Sequence, residues 1–313
     1  MTTDAMASPV SKPQKGLLSR ALSGTLLPVT VVVLGIIAIW YVAAISMNST
    51  FQRSLDERAE ATPSTVEFVV STLNQERPVL PSPHQVAENL WDTVFNKKIT
   101  SKRSLVYHAG VTLAPTLLGF VMGTGLGILL ATIIVHVLSM EKSLMPWIIT
   151  SQTIPILAIA PMVILVLDAV GIRGLLPKAL ISMYLSFFPV TVGMVKGLRS
   201  PDKMHLDLLR TYNGSAWQTF WKLRWPSSLP YLFTSMKVAI AISLIGAIVG
   251  ELPTGAVAGL GARLLSGSYY GQTVLIWSAL LMAAFCAAML VALVGVAEKW
   301  MRRRMGEKAE AGS

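Results

Sequence analysis

The stretch "RTYNGSAWQTFWKLRWPSSLP", residues 210–230, interrupts a strongly apolar chain with tryptophans, basic residues and a turn signal. Asn213 and Gly214 both tolerate positive φ, so the pair predicts a tight turn. Ser215 follows as the predicted N-cap of a short helix, because its hydroxyl can accept from an orphan backbone N–H. The stretch therefore predicts a reversal of the chain outside the apolar segments.

Short helices are predicted on both sides of this turn. Ser200 as N-cap and Pro201 at the first helical position begin the first one. The second is expected to end at Pro226 and Pro230, which cannot donate backbone hydrogen bonds. The first helix has a predicted apolar face of Leu206, Leu209 and Tyr212. We expect residues 199–230 to form a compact element that docks on another protein.

The rest of the chain has the composition of an integral membrane protein. Of its 313 residues 53% are hydrophobic and only 13% are charged. Several apolar runs are long enough to cross a hydrocarbon core of about 30 Å as helices. We therefore predict an all-α membrane protein with about six transmembrane helices. The predicted spans are 26–47, 109–138, 145–168, 176–197, 231–251 and 272–297.

Basic residues set the expected orientation. Lys and Arg are concentrated in the tails and in the loops between alternate spans, and cytoplasmic loops carry such an excess. Both termini are therefore predicted to be cytoplasmic, which places residues 48–105 outside. Within that external loop, "PSPHQVAENLWDTVF" predicts a short amphipathic helix. The net charge of +10 reflects this orientation. Nucleic-acid binding is not expected, because no reading motif accompanies the basic residues.

A stripe of glycines marks the second span. Gly119, Gly123 and Gly127 are four residues apart and share one helix face, which lets another backbone approach closely. Tight packing inside the subunit is the expected use, and a contact between two copies is the alternative.

Prolines interrupt the third and fourth spans. Pro155 and Pro161 each remove a backbone donor and free a carbonyl that a neighbour or water must satisfy. A kinked, water-facing helix on a solute pathway is one reading, and a purely structural kink is the other. Pro189 predicts a further break in the fourth span.

Few charged residues lie near the membrane-spanning segments. Glu251 ends the fifth span and is a candidate for lining an outer gate, because ionisable groups in membranes are costly. Lys237 lies nearer the inner side, where its long stem can reach the interface. Asp168 and Arg173 predict a surface ion pair. The sequence shows no motif for catalysis, metal binding or an internal disulfide, since Cys286 is the single cysteine.

Residues 199–230 resemble the coupling loop, or EAA motif, of permeases in ATP-binding-cassette (ABC) importers. Asp207 stands where this motif usually has Glu, and Asn213 replaces its turn glycine. The positions that carry the resemblance are Asp207, Arg210, Asn213, Gly214, Ser215, Trp217, Gln218, Phe220 and Pro226. The similarity extends from residue 81 through the final span and is closest to permeases for nitrate, sulfonates, taurine and pyrimidine precursors.

This resemblance implies a type I importer in a bacterial inner membrane. Its partners would be a second permease subunit, expected to be an identical copy, two cytoplasmic ATPase subunits and an external substrate-binding protein. The chain would bind no cofactor, because ATP and Mg²⁺ would be held by the ATPases; it has no G-x-x-x-x-G-K-S/T phosphate loop. The implied organisation is a cytoplasmic tail 1–25, a first span 26–47, an external loop 48–105, a permease core 106–298 with coupling loop 199–230, and a cytoplasmic tail 299–313.

Two other classes of protein are alternatives to an importer permease. An ion-coupled secondary transporter also suits six spans with prolines, but it would show internal repeats and charges at the membrane midplane. A membrane-embedded enzyme would need a catalytic motif, and none is present. The sequence does not identify the transported solute.

Overall fold

The computed structural model describes residues 26–60, 62–253 and 255–305. In these ranges every regular element is a helix and there is no strand, which confirms the predicted all-α fold. The predicted tail 1–25 and the last residues of the predicted tail 299–313 lie outside the described residues. The part of that C-terminal segment up to Arg304 continues the last helix.

The helices are numbered here in chain order. They are α1 Leu26–Arg58, α2 Thr65–Leu73, α3 Pro83–Trp91, α4 Leu105–His136, α5 Leu138–Ser151, α6 Ile156–Ala169, α7 Leu175–Leu198, α8 Lys203–Thr211, α9 Ala216–Thr219, α10 Trp225–Glu251, α11 Leu260–Tyr269 and α12 Thr273–Arg304. Two π-helical turns, Asp92–Asn96 and Phe220–Arg224, follow α3 and α9. The helix predicted in "PSPHQVAENLWDTVF" is present as α3.

Five helical segments are long and apolar enough to cross a membrane, and one bent pair forms a sixth. The five are α1, α4, α7, the continuous stretch Ala216–Glu251 and α12. The sixth is α5 with α6, which meet at an angle of 99°. The count of about six spans is confirmed, but the single kinked helix predicted at 145–168 is wrong. Pro155 offers no N–H to the carbonyl of Ser151, so the helix stops there and restarts in a new direction.

Three other prolines behave differently from the prediction. Pro189 was expected to break the fourth span, yet α7 runs through it. Pro226 and Pro230 were expected to end the second short helix, yet the helix continues past both to Glu251. The π-helical turn explains the continuity, because Trp225 N–H donates to Phe220 and Pro226 then falls in the first turn of α10, where a missing donor costs little.

The glycine stripe packs α4 against α7 inside the chain. A Cβ on Gly119 would lie 2.5 Å from the carbonyl oxygen of Ala179, and one on Gly127 would lie 2.8 Å from the side chain of Val190. Such separations leave no room for a methyl group, so glycine sets how closely the two helices approach. The structure thus places Gly119, Gly123 and Gly127 in packing within the subunit.

The chain divides into two compact units, Met1–Gln85 and Val86–Ser313. In the first, α1 runs past the predicted 26–47 to Arg58 and packs along α2. Asn48 is buried there; its Oδ1 accepts from the backbone of Val79 at 2.8 Å and its Nδ2 donates to Leu80 O at 2.8 Å. This amide fastens α1 to the segment that follows α2.

Candidate docking surface and pathway residues

The first helix of the loop 199–230 is α8, and its cap differs from the prediction. Asp202, not Ser200, is the N-cap: its carboxylate accepts from Met204 N at 3.3 Å. The Ser200 hydroxyl instead donates to Gly197 O at 2.7 Å and closes the end of α7. The helix therefore starts two positions after the predicted Pro201, because the carboxylate is the acceptor that reaches the orphan N–H groups.

The turn at Asn213 and Gly214 has the geometry that the sequence predicts. Asn213 has a φ of +52°. Its N–H donates to Arg210 O at 2.9 Å, while Gly214 N–H donates to Leu209 O at 2.8 Å. These two bonds form a Schellman motif, which satisfies the last carbonyls of α8. A Cβ on Gly214 would lie 3.0 Å from the Leu209 carbonyl oxygen, so the close approach favours glycine.

Ser215 caps the second short helix, as predicted. Its hydroxyl accepts from Gln218 N at 3.2 Å, and its own N–H donates to Gln218 Oε1 at 3.0 Å. This is a capping box, which satisfies two orphan donors reciprocally. Gln218 was selected only through the family resemblance, although the spacing Ser-x-x-Gln is itself a signal for this box.

Large apolar side chains on α8 and α9 face solvent. We call Met204, Leu208, Tyr212 and Trp217 the docking surface. The first three lie at i, i+4 and i+8, hence on one helix face, and Met204, Tyr212 and Trp217 are 78%, 79% and 70% exposed. Exposed apolar patches of this kind mark interaction sites. Of the predicted apolar face, Leu206 and Leu209 are half-buried, but Tyr212 is exposed and belongs to the docking surface. Met204 and Leu208 were not predicted to take part in it.

Charged residues flank this surface. Asp207 and Arg210 are both exposed and form an ion pair of 3.3 Å with each other. Such a pair adds little stability, because water screens both groups. Both side chains thus remain accessible to a partner.

Phe220 anchors the loop to the helix bundle. It is buried, and its ring meets the ring of His136 at the end of α4 edge-on, with centroids 5.3 Å apart. Trp221 and Trp225 pack around it at 5.2 and 6.1 Å. Among the predicted coupling-loop residues, Phe220 is therefore the one whose side chain is buried.

An ion pair joins the start of the loop to α5. Arg199 Nη1 and Nη2 donate to the two oxygens of Glu141 at 2.9 and 2.7 Å. Two parallel bonds fix the relative orientation of the groups, and the hydrogen bonds with Glu141 raise the pKa of Arg199. The sequence reading missed this pair because its members are 58 positions apart.

The break between α5 and α6 is closed by a side chain from α7. Pro155 leaves the carbonyl of Ser151 without its helical donor, and the hydroxyl of Tyr184 donates to that oxygen. Tyr184 is thus the neighbour that satisfies the freed carbonyl, as expected from the sequence. Pro155 itself is exposed.

Pro161 lies at a cleft. The cleft has a volume of about 590 Å³ and is lined by α6, the start of α7 and Pro253 after α10. Asp168 and Arg173 stand at its edge and form the predicted ion pair. Pro161, a pathway candidate, thus lies beside an open space.

Glu251 is fully buried. Its carboxylate accepts from the Thr112 hydroxyl at 2.9 Å and from Gly261 N at 2.7 Å, near the first turn of α11. The hydroxyl of Thr112 in turn accepts from Leu260 N at 2.8 Å. The structure therefore places Glu251 in the packing between α4, α10 and α11, where it ties the end of α10 to both neighbours.

Lys237 forms an ion pair with Glu298 of α12, and Glu298 also accepts from Arg302 at 3.1 Å. Within residues 26–60, 62–253 and 255–305, no group of three His, Cys, Asp or Glu side chains is placed to hold a metal ion.

Comparison of the sequence with known proteins identifies relatives of this chain. Residues 123–307 match the family described as "Binding-protein-dependent transport system inner membrane component". The chain is 32% identical over 203 residues to a probable ABC transporter permease protein of Haemophilus influenzae, covering 65% of this chain and 78% of the relative. It is 31% identical over 225 residues to a riboflavin transport system permease protein of Chloroflexus aurantiacus, covering 72% and 80%.

A third relative is a formylaminopyrimidine transport permease protein of Halalkalibacterium halodurans. It is 33% identical over 183 residues, covering 58% of this chain and 68% of the relative. The relatives also include nitrate and aliphatic sulfonate permeases, as the resemblance from residue 81 through the final span implied.

Proposed function

Because the chain belongs to the family of binding-protein-dependent transport system inner membrane components, we propose that it forms the solute pathway of an ABC importer and couples it to ATPase subunits through the loop 199–230. Family membership makes it a multi-pass permease subunit of the inner membrane. It also sets aside the ion-coupled secondary transporter that was the alternative from sequence.

The docking surface is the observation that carries this proposal. A capped helix, a Schellman turn and a second capped helix hold its four apolar side chains outward, next to Asp207 and Arg210. Large apolar side chains on rigid short helices are suited to fill a groove in a partner, because little conformational entropy is lost on binding. The partner in this proposal is a cytoplasmic ABC ATPase, which binds ATP and Mg²⁺ in place of this chain.

Two contacts connect the docking surface to the membrane helices. Phe220 attaches the loop to the end of α4, and Arg199 attaches it to α5 through Glu141. The other end of α5 is held by Tyr184 at the break before α6. In our proposal, closure of the ATPases displaces the loop, and the Arg199–Glu141 pair passes this displacement to α5 and α6 beside the cleft. The two arrangements of the permease are then populated according to their contacts with the ATPases.

The remaining partners follow from the family. A second permease subunit, expected to be a copy of this chain, completes the pathway, and an external binding protein delivers the solute. The distribution of Lys and Arg supports cytoplasmic termini and a cytoplasmic loop 199–230.

The solute belongs, in our proposal, to the nitrate, sulfonate, taurine and pyrimidine-precursor group. A nitrogen heterocycle, either a pyrimidine precursor of that group or a flavin, is favoured, because the relatives named for formylaminopyrimidine and riboflavin are 33% and 31% identical. Radiolabelled uptake by proteoliposomes, competed with a pyrimidine, a flavin, nitrate and taurine in turn, identifies the class. Competition by none of these compounds contradicts the assignment.

Co-purification from native membranes tests the coupling role. We expect a P-loop ATPase to be retained by the wild-type chain and to be lost at least tenfold from Leu208→Ala and Trp217→Ala, as for central interface residues. Trp300→Ala is the matched control, since this tryptophan is 53% exposed on α12, away from the docking surface. Equal retention of the ATPase by all variants, or no ATPase with the wild type, contradicts the proposal.

A further inference from the structure

A concave apolar surface lies between α7 and α10, on the membrane-spanning part of both helices. We call it the α7–α10 groove; it has a volume of about 520 Å³. Its walls include Phe188, Pro189 and Val192 of α7 and Tyr231 and Val238 of α10. Val192 and Val238 are 38% and 49% exposed, so these walls are open to whatever surrounds the chain.

At the floor of the groove the two helices approach each other closely. Gly193 lies there, and a Cβ on it would lie 2.8 Å from the Cβ of Ser235. The hydroxyls of Ser235 and Thr234 are turned back to their own helix, where they donate to the carbonyls of Tyr231 and Pro230. The polar groups of the floor are thus satisfied within the helix, which leaves an apolar trough.

A single cation stands at one end of this trough. Lys196 lies in the last turn of α7, and its Nζ is 6.0 Å from the centroid of the Tyr231 ring. It forms no ion pair with any residue in the described ranges, and no Asp or Glu lines the groove. From Pro189 to Lys196 the helix rises by about 10 Å, which fits part of an acyl chain.

We propose that the α7–α10 groove binds an anionic phospholipid, with an acyl chain along the apolar walls and the phosphate on Lys196. Apolar grooves between membrane helices with a basic residue at the interface bind such headgroups, and aromatic rings are enriched at the same interface. The opposite charges of Lys196 and the phosphate select the occupant, since the groove offers the cation no carboxylate. This inference does not depend on the transported solute or on the ATPase.

Native mass spectrometry of the full-length chain tests the site directly. The chain is incorporated into nanodiscs of equal parts phosphatidylglycerol and phosphatidylcholine, released and analysed for retained lipid. We expect the wild type to retain phosphatidylglycerol in preference to phosphatidylcholine. Lys196→Gln should reduce this preference about fivefold, the effect of one basic residue near an anionic surface. Lys196→Arg should keep it.

Two further variants separate the site from general electrostatics. Lys299→Gln removes an exposed lysine near the end of α12 and should leave phosphatidylglycerol retention unchanged. Val192→Trp fills the trough and should lower retention of both lipids. All variants elute as the same species in size-exclusion chromatography if these surface changes leave the fold intact.

Three results would overturn the proposal. The first is phosphatidylglycerol retention that is equal in wild type and Lys196→Gln. The second is displacement of the lipid by glycerol 3-phosphate as effectively as by phosphatidylglycerol, which would leave the apolar walls without a role. The third is efficient disulfide cross-linking of Val238→Cys to a second copy in a Cys286→Ser background, which would show the groove to be covered by protein.

Discussion

Arg199 and Glu141 should act together in coupling ATP hydrolysis to transport. Their two hydrogen bonds of 2.9 and 2.7 Å join the loop 199–230 to α5. The side chains are 44% and 30% exposed, so solvent screens the attraction. An interaction energy of about 1 kcal/mol, the upper end for surface pairs, is therefore expected; it corresponds to about a fivefold effect.

The assay is the number of ATP molecules hydrolysed per solute imported by the complete transporter in proteoliposomes. Arg199→Gln and Glu141→Gln should each raise this ratio about fivefold, because loop movement is then transmitted less reliably to α5. The exchange of charges, Glu141→Arg with Arg199→Glu, should restore the ratio to within about twofold, since the attraction is re-formed.

A second ion pair serves as the control. Lys97 and Asp92 lie 3.0 Å apart with comparable exposure, outside the loop 199–230, and Lys97→Gln should leave the ratio unchanged. If the single variants lower uptake and ATP hydrolysis in the same proportion, the pair has only a structural role. If the exchanged pair is no better than either single variant, the reasoning about direct attraction is refuted.

Three further predictions concern the fold. Gly123→Ala should lower the thermal unfolding temperature in detergent, since its Cβ would lie 3.0 Å from a backbone oxygen of α7, whereas Gly125→Ala, with nothing within 4 Å, should not. Tyr184→Phe should destabilise the chain by about 1–3 kcal/mol, measured by chemical denaturation, because the carbonyl at the helix break loses its donor. The hydrogen bond from the backbone of Ser64 lowers the pKa of Glu67 from 4.5. Its contribution to α2 is present above pH 4.5 and is lost as pH falls through the lowered pKa, so hydrogen-exchange protection of α2 should fall there, and Glu67→Gln should remove that dependence.

Local rules predicted the turn at the centre of the loop. The positive φ of Asn213 and the capping box of Ser215 depend only on residues close in sequence, so both can be predicted from the sequence. Ser200 failed as an N-cap because Asp202, two positions on, competes for the same orphan donors. Choosing between two good acceptors depends on where α7 ends, which is a matter of tertiary packing.

Prolines were the least predictable residues. The sequence shows that a backbone donor is missing, but not whether a neighbour replaces it or a π-helical turn absorbs it. Pro155 breaks the helix by 99°, while Pro189 leaves α7 continuous and Pro226 fits the first turn of α10. The partners that decide these outcomes, such as Tyr184, come from distant parts of the chain.

The outward stripe of the docking surface was available in the sequence. Met204, Leu208 and Tyr212 follow the spacing i, i+4, i+8 of one helix face. This spacing alone does not tell which face of a short amphipathic helix turns to solvent. Leu206 and Leu209 were assigned to the apolar face, and only the position of α8 against the bundle shows that both stripes are apolar, one inward and one outward.

In the coupling proposed above, the unbroken helical stretch Ala216–Glu251 would serve as a lever about 54 Å long, from its 36 residues at 1.5 Å each. One end carries Trp217 of the docking surface, and the other ends at Glu251, fastened to Thr112 and Gly261. A tilt of about 5° around its middle would move the two ends by about 2 Å in opposite directions. Because the helix continues through Pro226 and Pro230 without a hinge, both of its ends would then move in the same stroke.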